Sequence, residues 1–450
     1  RILCVAFLKK ILVKIAKSLG IENVEGLLNK SMQQLASNKE KSAVVLLKKD
    51  GSPLDGQGAG MDRSSSKAIR TVQDLFEKAI KNGATDLHFE PKSGEEIVVR
   101  CRIDGVMQNM TTLWAADGKS SISALKVLSD MDIAERRRPQ DGTFAVLFDS
   151  HKFDIRAASG PTNFGEKMAL RLLDSDGEIV KNGLEGIGMS DSVTKKMRQI
   201  IQQPHGMMLV CGPTGSGKTT TLYTALGELD VFSKNIVTIE DPIEYRLENI
   251  SQTAVNVAAD LTFANILRST LRQDPDVILI GEIRDKETAE IAMQAALTGH
   301  FVFSTLHAND SATTITRLLD IGIDTTLIQS SLSAVLAQRL VRVLCKRCKE
   351  SYTPPNDFLQ KLGVPAGKTI PLFKEVGCTS CLESGYRGRT GIHELLAFDN
   401  SIRDLLVGRP SIQDIRRAGR KSGMKTLKQS GIQKVLGGIT SLNEVMRVAK

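Results

Sequence analysis

Residues Gly212 to Tyr223 read GPTGSGKTTTLY, and they directly follow the apolar run Met207 to Cys211. The stretch fits the pattern G-x-x-x-x-G-K-[ST], in which Gly217, Lys218 and Thr219 occupy the last three fixed places. A buried strand, a glycine-rich loop and a helix in this order are typical of phosphate-binding sites, because the loop N–H groups and the helix N-terminus both attract anions. The stretch therefore predicts a nucleoside triphosphate site within an α/β fold.

The residues of this loop have separate predicted roles. Lys218 is expected to reach the β- and γ-phosphates, and the Thr219 hydroxyl is expected to ligate Mg²⁺. The residues expected to line the nucleotide are Gly212, Pro213, Thr214, Gly215, Ser216, Gly217, Lys218, Thr219 and Thr220. A glycine-rich turn with a chance lysine is the alternative interpretation, which the flanking strand and helix disfavour.

The composition describes a globular chain of several domains. At 450 residues, with 41% hydrophobic and 25% charged residues, the chain is expected to form roughly two to four domains. The net charge of +9 suits a solubility excess better than a nucleic-acid surface, since aromatic residues make up only 4% of the chain. No uncharged apolar run reaches about 18 residues, so no membrane-spanning helix is predicted.

The first 67 residues predict two segments. Residues 1–49 carry helical periodicity and predict part of an N-terminal helical region; since the chain begins with Arg1 rather than methionine, we expect the natural N-terminus to be missing. Residues 1–19 combine apolar side chains with four lysines, so a basic helix lying on a membrane is the alternative to a helix packed in a core. Residues 50–67 are rich in Gly, Ser and Asp and predict a flexible linker.

Residues 68–174 predict a mixed α+β domain. A helix over 68–81 precedes several short strands with alternating polarity, and Asp104-Gly105 reads as a hairpin turn. Arg156 and Arg171 fall in the last two predicted strands. From composition alone, these two arginines are interpreted as solvated charges on a strand face.

Residues 184–344 predict a regular alternation of strands and helices around the phosphate loop. One apolar run leads into Glu240 and Glu244, and another leads into Glu282. Because parallel strands present their carboxyl ends at the ligand-binding edge of a sheet, these carboxylates are expected near the nucleotide. Glu282 is the candidate for holding Mg²⁺ or orienting the attacking water.

Three basic residues of the same region also suit the site. Arg268 and Arg272 are spaced i, i+4 on a predicted helix, so they project from it together. His307 follows a buried strand at the ligand-binding edge. There it suits either a sensor of the γ-phosphate or a satisfied structural histidine.

Four of the seven cysteines form two C-x-x-C pairs, Cys345 with Cys348 and Cys378 with Cys381. Two such pairs supply four thiolates in tetrahedral geometry, which suits a structural Zn²⁺ without an open position for catalysis. A redox pair or an iron–sulfur cluster is the alternative. We therefore predict a zinc-binding region over 345–396 and, from helical periodicity, a helical C-terminal region over 397–450.

Taken in order, these motifs resemble those of the type II secretion and type IV pilus assembly ATPases, in the branch that carries four cysteines. The resemblance covers residues 68–450 and rests on several separate stretches. These read ATDLHFEP, RIDGV, DIAERRRPQDG, GEKMALRLLD, GPTGSGKTTTLY, TIEDPIEY, LRSTLRQDPDVILIGEIRD, TGHFVFSTLHANDS and GYRGRTGIHELL, together with the four cysteines.

The resemblance implies a RecA-like P-loop ATPase core preceded by an α+β, PAS-like domain. It places the following residues in or near catalysis: Lys218, Glu240, Asp241, Glu244, Glu282, His300, His307, Arg268, Arg272 and Arg284. In this family TIEDPIEY corresponds to the aspartate box, and Glu282 corresponds to the Walker B carboxylate. The resemblance also implies that Arg156 and Arg171 reach the phosphates from the α+β domain, against their interpretation as solvated charges.

The resemblance further implies a homo-hexameric motor that uses ATP, Mg²⁺ and Zn²⁺. Such a motor is cytoplasmic and peripheral to the bacterial inner membrane, where a platform protein and other secretion or pilus components are its partners. A pilus retraction ATPase is the alternative within the superfamily, although retraction members typically lack the four cysteines. A nucleic-acid-stimulated RecA-like motor is the alternative outside it, and no nucleic-acid partner is expected.

Overall fold

The structure is a computed structural model that describes residues 44–48, 51–54, 63–92, 94–174 and 182–449. Residues 1–43 and 49 of the predicted helical segment, and residues 50 and 55–62 of the predicted linker, lie outside these ranges. Two seven-stranded sheets organise the described chain. We call residues 44–174 the N-terminal unit and residues 182–449 the C-terminal unit.

The N-terminal unit is an antiparallel sheet with two helices on one face. Its elements are β1 (Val44–Leu47), α1 (Arg63–Lys81), β2 (Ala84–Pro91), β3 (Glu96–Ile103), β4 (Val106–Trp114), α2 (Ala115–Leu128), β5 (Gln140–Phe148), β6 (His151–Thr162) and β7 (Gly165–Asp174). The strand order is β1-β5-β6-β7-β2-β3-β4. Alternate side chains, such as Ile97 and Val99, are buried with Phe76 and Leu125 of the helices. The intervening polar side chains occupy the opposite sheet face, as the period of two requires.

Two boundaries near the N-terminus differ from the prediction. Val44–Leu47, predicted within a helical segment, forms β1 and pairs with β5. Its side chains alternate between buried and exposed, as in a strand at the edge of a sheet. Its pairing with β5 is a tertiary contact that overrides the local helical periodicity. Helix α1 begins at Arg63, so the end of the predicted linker is helical. The serines at 64–66 have low helix propensity, which is why the sequence favours a linker there.

The C-terminal unit begins with strand–helix alternation. Its first elements are α3 (Gly183–Gly186), α4 (Asp191–Ile201), β8 (Gly206–Cys211), α5 (Lys218–Gly227), β9 (Ile236–Glu240), β10 (Ser251–Ala254), α6 (Phe263–Thr270), β11 (Val277–Ile280), α7 (Lys286–Leu297), β12 (Phe301–Leu306), α8 (Ser311–Asp320), α9 (Thr325–Ser331) and β13 (Leu332–Leu344). The remaining elements are β14 (Glu350–Tyr352), α10 (Asn356–Lys361), β15 (Leu372–Lys374), β16 (Tyr386–Ala397), α11 (Asn400–Leu406), α12 (Ile412–Lys421), α13 (Leu427–Leu436) and α14 (Leu442–Val448).

The second sheet has the strand order β10-β9-β11-β12-β8-β13-β16, and every neighbouring pair is parallel except β13 with β16. Its central strands are buried on both faces, which explains their continuous apolar sequences. Met207 and Leu209 of β8 belong to the core beneath α6 to α9, whereas Met208 and Val210 belong to the core beneath α4 and α5. Helices therefore cover both faces of a mostly parallel sheet, as the strand–helix alternation predicted.

Strand β16 differs from the predicted organisation. Its residues were assigned to the zinc-binding region, yet they pair with β13 and complete the second sheet. The chain leaves the sheet after β13, forms the cysteine turns and the small β14–β15 ladder, and then returns. A return of this kind depends on tertiary pairing, so local sequence patterns do not reveal it. The chain after β16 is helical, as predicted, and consists of α11 to α14.

The two units contact each other at the carboxyl edge of the second sheet. Arg156 of β6 donates from Nη2 to the carbonyl oxygen of Ile243 over 3.1 Å. The N–H of Gly388 donates to Oδ2 of Asp104 over 2.8 Å. Between these contacts lies a chamber of about 950 Å³ that both units line. No helix within the described ranges combines the length and the apolarity that crossing a membrane requires.

Candidate nucleotide site and metal centre

The phosphate loop forms one wall of the chamber, between β8 and α5. Gly215 and Gly217 adopt φ angles of +76° and +86°, a region that favours glycine. Helix α5 then begins at Lys218, so its first N–H groups face the chamber. Of the residues predicted to line the nucleotide, Pro213 to Thr220 line this chamber. The loop geometry suits the capture of an anion.

Lys218 turns back onto its own loop. Its Nζ donates to the carbonyl oxygens of Gly212 and Pro213 over 3.0 and 3.3 Å. Burial lowers the pKa of Lys218 from its ordinary value, and the carboxylate of Glu282 acts in the opposite direction. Phosphate oxygens are stronger acceptors than carbonyls for an ammonium group, so the lysine suits a triphosphate in this position.

Glu240 lies in the chamber wall, but protein donors occupy both of its oxygens. It accepts hydrogen bonds from the Tyr223 hydroxyl, from Oγ1 of Thr238 over 2.6 Å and from Nε2 of Gln252 over 3.0 Å. Its side chain is buried. Burial and the bond to Glu240 raise the pKa of Tyr223, so the phenol stays protonated and donates. This arrangement anchors the segment that contains Glu244.

Glu282, His307 and Arg284 form a connected polar group at the carboxyl ends of β11 and β12. Oε1 of Glu282 accepts from Nε of Arg284 over 2.7 Å, and Oε2 lies 3.5 Å from Nε2 of His307. Arg284 also pairs with Asp241 over 3.2 Å. Glu282 and His307 both line the chamber. The predicted meeting of these residues at one sheet edge is therefore present in the structure.

The two arginines of the N-terminal unit lie on neighbouring strands, because Arg156 of β6 is in register with Arg171 of β7. Besides its bond to the carbonyl of Ile243, Arg156 lies 3.8 Å from Oε2 of Glu244. Arg171 lines the chamber and pairs with Asp86 over 3.1 Å. The two side chains therefore share one face of the first sheet, and of the two, Arg171 lines the chamber whereas Arg156 does not.

Three residues that the resemblance placed near the site lie elsewhere. Arg268 pairs with Glu287 of α7, and Arg272 is exposed just beyond the end of α6. His300 precedes β12, at the opposite edge of the sheet from the phosphate loop, and its Nδ1 lies 3.0 Å from the carbonyl oxygen of Ala295. Within the described ranges, none of the three lines the chamber.

Four further arginines line the chamber without having been singled out. They are Arg102, Arg339, Arg389 and Arg447. Arg389 lies 3.8 Å from Asp104, across the boundary between the units. Arg102 and Arg389 fall within or beside the quoted stretches RIDGV and GYRGRTGIHELL, so those stretches offered a signal. Arg339 and Arg447 reach the chamber only through the tertiary fold.

The four cysteines converge in a second, separate place. Sγ of Cys345 lies 3.9 Å from that of Cys378, and Sγ of Cys348 lies 3.7 Å from that of Cys381. All four sulfurs lie within 4.8 Å of one another. Zinc–sulfur bonds of about 2.3 Å in a tetrahedron place sulfurs about 3.8 Å apart. The donor set and its spacing therefore fit Zn²⁺, and N–H groups of Cys378 and Gly385 approach Sγ of Cys381 as they would a thiolate.

Comparison with known families gives a match over most of the chain. Residues 62–447 match the family model described as type II/IV secretion system protein. The type II secretion system protein E of Pseudomonas aeruginosa is 46% identical over 382 residues, which cover 85% of this chain and 75% of that protein. The type IV pilus assembly ATPase PilB of Thermus thermophilus is 42% identical and is covered over 43% of its length, against 86% of this chain.

Solved structures show the same fold. The ATPase DotB of Legionella pneumophila superposes with a TM-score of 0.61 at 20% identity, over 84% of this chain and 95% of that one. The pilus retraction motor PilT, solved with bound ADP, superposes with a TM-score of 0.56 at 26% identity, over 83% and 95%. These similarities confirm the predicted fold class.

Proposed function

Because this chain belongs to the type II/IV secretion system protein family, as its motifs predicted, we propose that it hydrolyses ATP in the chamber between its two units. The energy would drive assembly of a secretion pseudopilus or a type IV pilus. The observation that carries the proposal is that Lys218, Glu282 and Arg171 line one chamber although they come from separate parts of the chain.

Binding of the triphosphate is assigned to the loop and the start of α5. Lys218 would exchange its two loop carbonyls for phosphate oxygens, while the N–H groups of the loop and the helix N-terminus hold the remaining oxygens. Thr219 and Glu282 supply oxygen ligands of the kind that Mg²⁺ prefers. When bound, that ion supplies positive charge that neutralises the phosphates.

Orientation of the attacking water is assigned to Glu282. Its Oε2 lies 3.5 Å from Nε2 of His307, which is longer than a typical hydrogen bond. This oxygen can therefore still accept a hydrogen bond from a water at the sheet edge. Glu240 is assigned a positioning role instead, because Tyr223, Thr238 and Gln252 already occupy it. Glu244 remains a second candidate for the water, held near Arg156 of the other unit.

Conversion of nucleotide state into movement is assigned to Arg156 and Arg171. Both belong to the N-terminal unit, and one of them already bonds to the segment that follows Glu240. Loss of phosphate charge would weaken their attraction to the chamber, so the two units would be free to separate. Phosphoryl transfer depends on positioning and charge rather than on covalent catalysis, so the same two arginines can serve both hydrolysis and movement.

The assembly and its partners form the wider part of the proposal. Arg268 and Arg272 are exposed away from their own chamber, which supports a role across a subunit boundary in a homo-hexamer. The names of the relatives support partners in a secretion or pilus machine, with a platform protein of the inner membrane as the contact that holds the chain at the membrane's cytoplasmic face. The cysteine cluster is proposed to hold one structural Zn²⁺.

Retraction is the second candidate, because PilT shares the fold. The sequence identity of this chain favours assembly, because it is 46% with the type II secretion system protein E and 26% with PilT. The two candidates share the same ATP chemistry.

Phosphate release from ATP by the purified chain tests the proposal. Lys218→Ala is expected to abolish the release, because the group that balances the β- and γ-phosphate charge is removed. Lys286→Ala is the matched control, since that lysine is exposed on α7, where its Nζ lies 3.4 Å from Oε1 of Glu290. Equal turnover in the wild type and in Lys218→Ala would contradict the proposal, and strong stimulation by DNA or RNA would favour a nucleic-acid motor.

A further inference from the structure

Gln338 lies beside the point where β8 becomes the phosphate loop. Strand β13 runs parallel to β8, with Leu336 opposite Val210 and Ala337 opposite Cys211. The next residue of β13 therefore lies beside Gly212, the first residue of the loop motif. Gln338 is 2% exposed, so its polar side chain needs partners inside the protein.

The side chain of Gln338 bonds to both ends of the segment that starts α5. Its Nε2 donates to the carbonyl oxygen of Ser216 over 2.8 Å, and its Oε1 accepts from Oγ1 of Thr221 over 2.6 Å. The carbonyl of Ser216 can only accept, so the NH₂ group must face it, and this settles the orientation of the carboxamide. The four residues between these two contacts include Lys218 and Thr219.

Two motif glycines are also in close contact with Gln338. A Cβ atom at Gly212 would lie 2.7 Å from the backbone oxygen of Gln338, and one at Gly217 would lie 2.9 Å from its Nε2. Both glycines have positive φ angles, +156° and +86°. Their lack of a side chain therefore permits the close approach of β13 as well as the loop conformation.

Arg339, the next residue, links the same place to the segment after β12. Its Nη2 donates to the carbonyl oxygen of Asn309 over 2.7 Å, and its Nη1 donates to the backbone oxygen of Gln338 over 3.0 Å. Asn309 follows His307, which faces Glu282. The pair Gln338–Arg339 thus connects the phosphate loop with the loop that carries His307.

We propose that Gln338 is a positioning residue that holds the phosphate loop in its phosphate-binding shape through Ser216 and Thr221. The inference rests on the proposed function, since it concerns how the same loop binds ATP. A loop that is held in shape before binding does not have to be ordered by the ligand, and this favours affinity. Loss of Gln338 therefore weakens ATP binding more than it slows the chemical step.

The test compares Gln338→Glu and Gln338→Met with the wild type. The glutamate keeps the acceptor for Thr221 but turns a carboxylate oxygen toward the carbonyl of Ser216, and the methionine keeps the length but removes both bonds. The Kd of a fluorescent ATP analogue is expected to rise about tenfold or more in both variants. In steady-state hydrolysis KM rises by about the same factor, while kcat changes by less than about threefold.

Two further measurements separate positioning from a general loss of stability. Gln203→Glu is the matched control, because Gln203 bonds to Ser333 at the other end of β13, over 2.8 Å, and is exposed. It is expected to leave Kd unchanged. A double-mutant cycle with Thr221→Val is expected to show that the effects of Gln338→Met and Thr221→Val on Kd are less than additive, since both variants remove the same hydrogen bond, the one between Thr221 and Gln338.

A Kd within about twofold of the wild type in both Gln338 variants would overturn the inference. So would an equal loss of affinity in Gln203→Glu. A wild type that binds the analogue without hydrolysing ATP would contradict the proposed function yet leave the comparison of Kd values intact. A wild type that fails to bind it would overturn both.

Discussion

The cysteine cluster and the nucleotide chamber are built in opposite ways. The cluster takes all four ligands from two short turns, and its sulfurs already have the spacing of a zinc tetrahedron. The chamber takes its lining from both units, from Thr85 of the first sheet to Val448 at the end of α14. One site is complete within a local segment, and the other exists only when the two units meet.

The difference extends to the charges at each site. Four thiolates leave no coordination position open, which suits a structural ion. In the chamber, by contrast, Lys218 contacts loop carbonyls and Arg171 contacts Asp86, partners that a triphosphate could replace. The closed site therefore suits a structural role, whereas the open site suits repeated binding and release.

The largest effect is expected at the cysteine cluster. Replacing Cys345 and Cys378 with serine is expected to lower the zinc content from about one equivalent per chain to none, because two of four ligands are lost. Structural zinc supplies on the order of 10 kcal/mol in small domains, so the segment between β13 and β16 should become sensitive to proteolysis. Metal analysis and limited proteolysis measure both changes, and the affinity for ATP should persist.

Cys101→Ala is the control for the cluster, since Cys101 is buried in the first sheet, far from the four ligands in sequence. It should keep its zinc. Freshly purified wild type without any zinc would refute the assignment of the cluster.

The next effect is expected at the open site. Glu282→Gln should reduce kcat by on the order of 10²–10³-fold, because the variant retains the shape but loses the charge that orients water and Mg²⁺. Zinc content should not change. Steady-state kinetics with Glu290→Gln as the control, a half-buried residue paired with Lys286 on α7, measures the difference. A variant as active as the wild type would remove Glu282 from the mechanism.

A pH dependence is expected where the two regions are linked. Tyr386, just after the cysteine turns, stacks on Arg342 at 4.0 Å, and Glu444 binds both Arg342 and the chamber residue Arg447. Burial acts to raise the pKa of Glu444, but hydrogen bonds from Arg447 and Arg342 outweigh it and lower the pKa to about 2. A depressed carboxyl pKa contributes stability above the ordinary value near 4.5, and this contribution is lost as the pH falls towards 2.

Glu444→Gln should therefore destabilise the protein by about 3 kcal/mol at pH 7 and by less at pH 3. Thermal unfolding at the two pH values measures this change, with Glu350→Gln as the control, because the pair of Glu350 with Lys374 is exposed. A loss that is the same at both pH values would show that the Glu444 charge is not its cause.

The smallest effect is expected between the units. Arg156→Ala should raise KM for ATP about tenfold, because it removes a charge-assisted hydrogen bond to the segment after Glu240. Lys152→Ala is the control, an exposed lysine on the same strand. Unchanged KM in Arg156→Ala would indicate that the N-terminal unit takes no part in binding.

The same contrast explains what the sequence could predict. The phosphate loop, Glu282, His307 and the four cysteines lie in short motifs whose spacing determines their local geometry. The structure places the loop, Glu282 and His307 at one chamber and gathers the four cysteines in a separate cluster. Arg156 and Arg171 carry no local signal. Composition favoured solvated charges for them, and only the family resemblance predicted that they face the nucleotide. In the structure Arg171 lines the chamber, and Arg156 contacts the carbonyl oxygen of Ile243 beside it.

Other features depend on contacts between distant parts of the chain. The Glu240 carboxylate is occupied because Tyr223 and Gln252 approach it from other elements. Strand β1 and strand β16 form because a sheet edge is available to them. Gln338 meets the phosphate loop through strand pairing. No periodicity or motif encodes these approaches, so they could not be predicted from the sequence.

Hydrogen exchange of Glu282→Gln with and without ATP tests the central claim, that both units form the nucleotide site. The variant slows turnover, so the bound state persists during the measurement. We predict slower exchange in residues 212–221 and also in β6 and β7, which carry Arg156 and Arg171, with no change at the cysteine turns. Slower exchange confined to the C-terminal unit would contradict the claim.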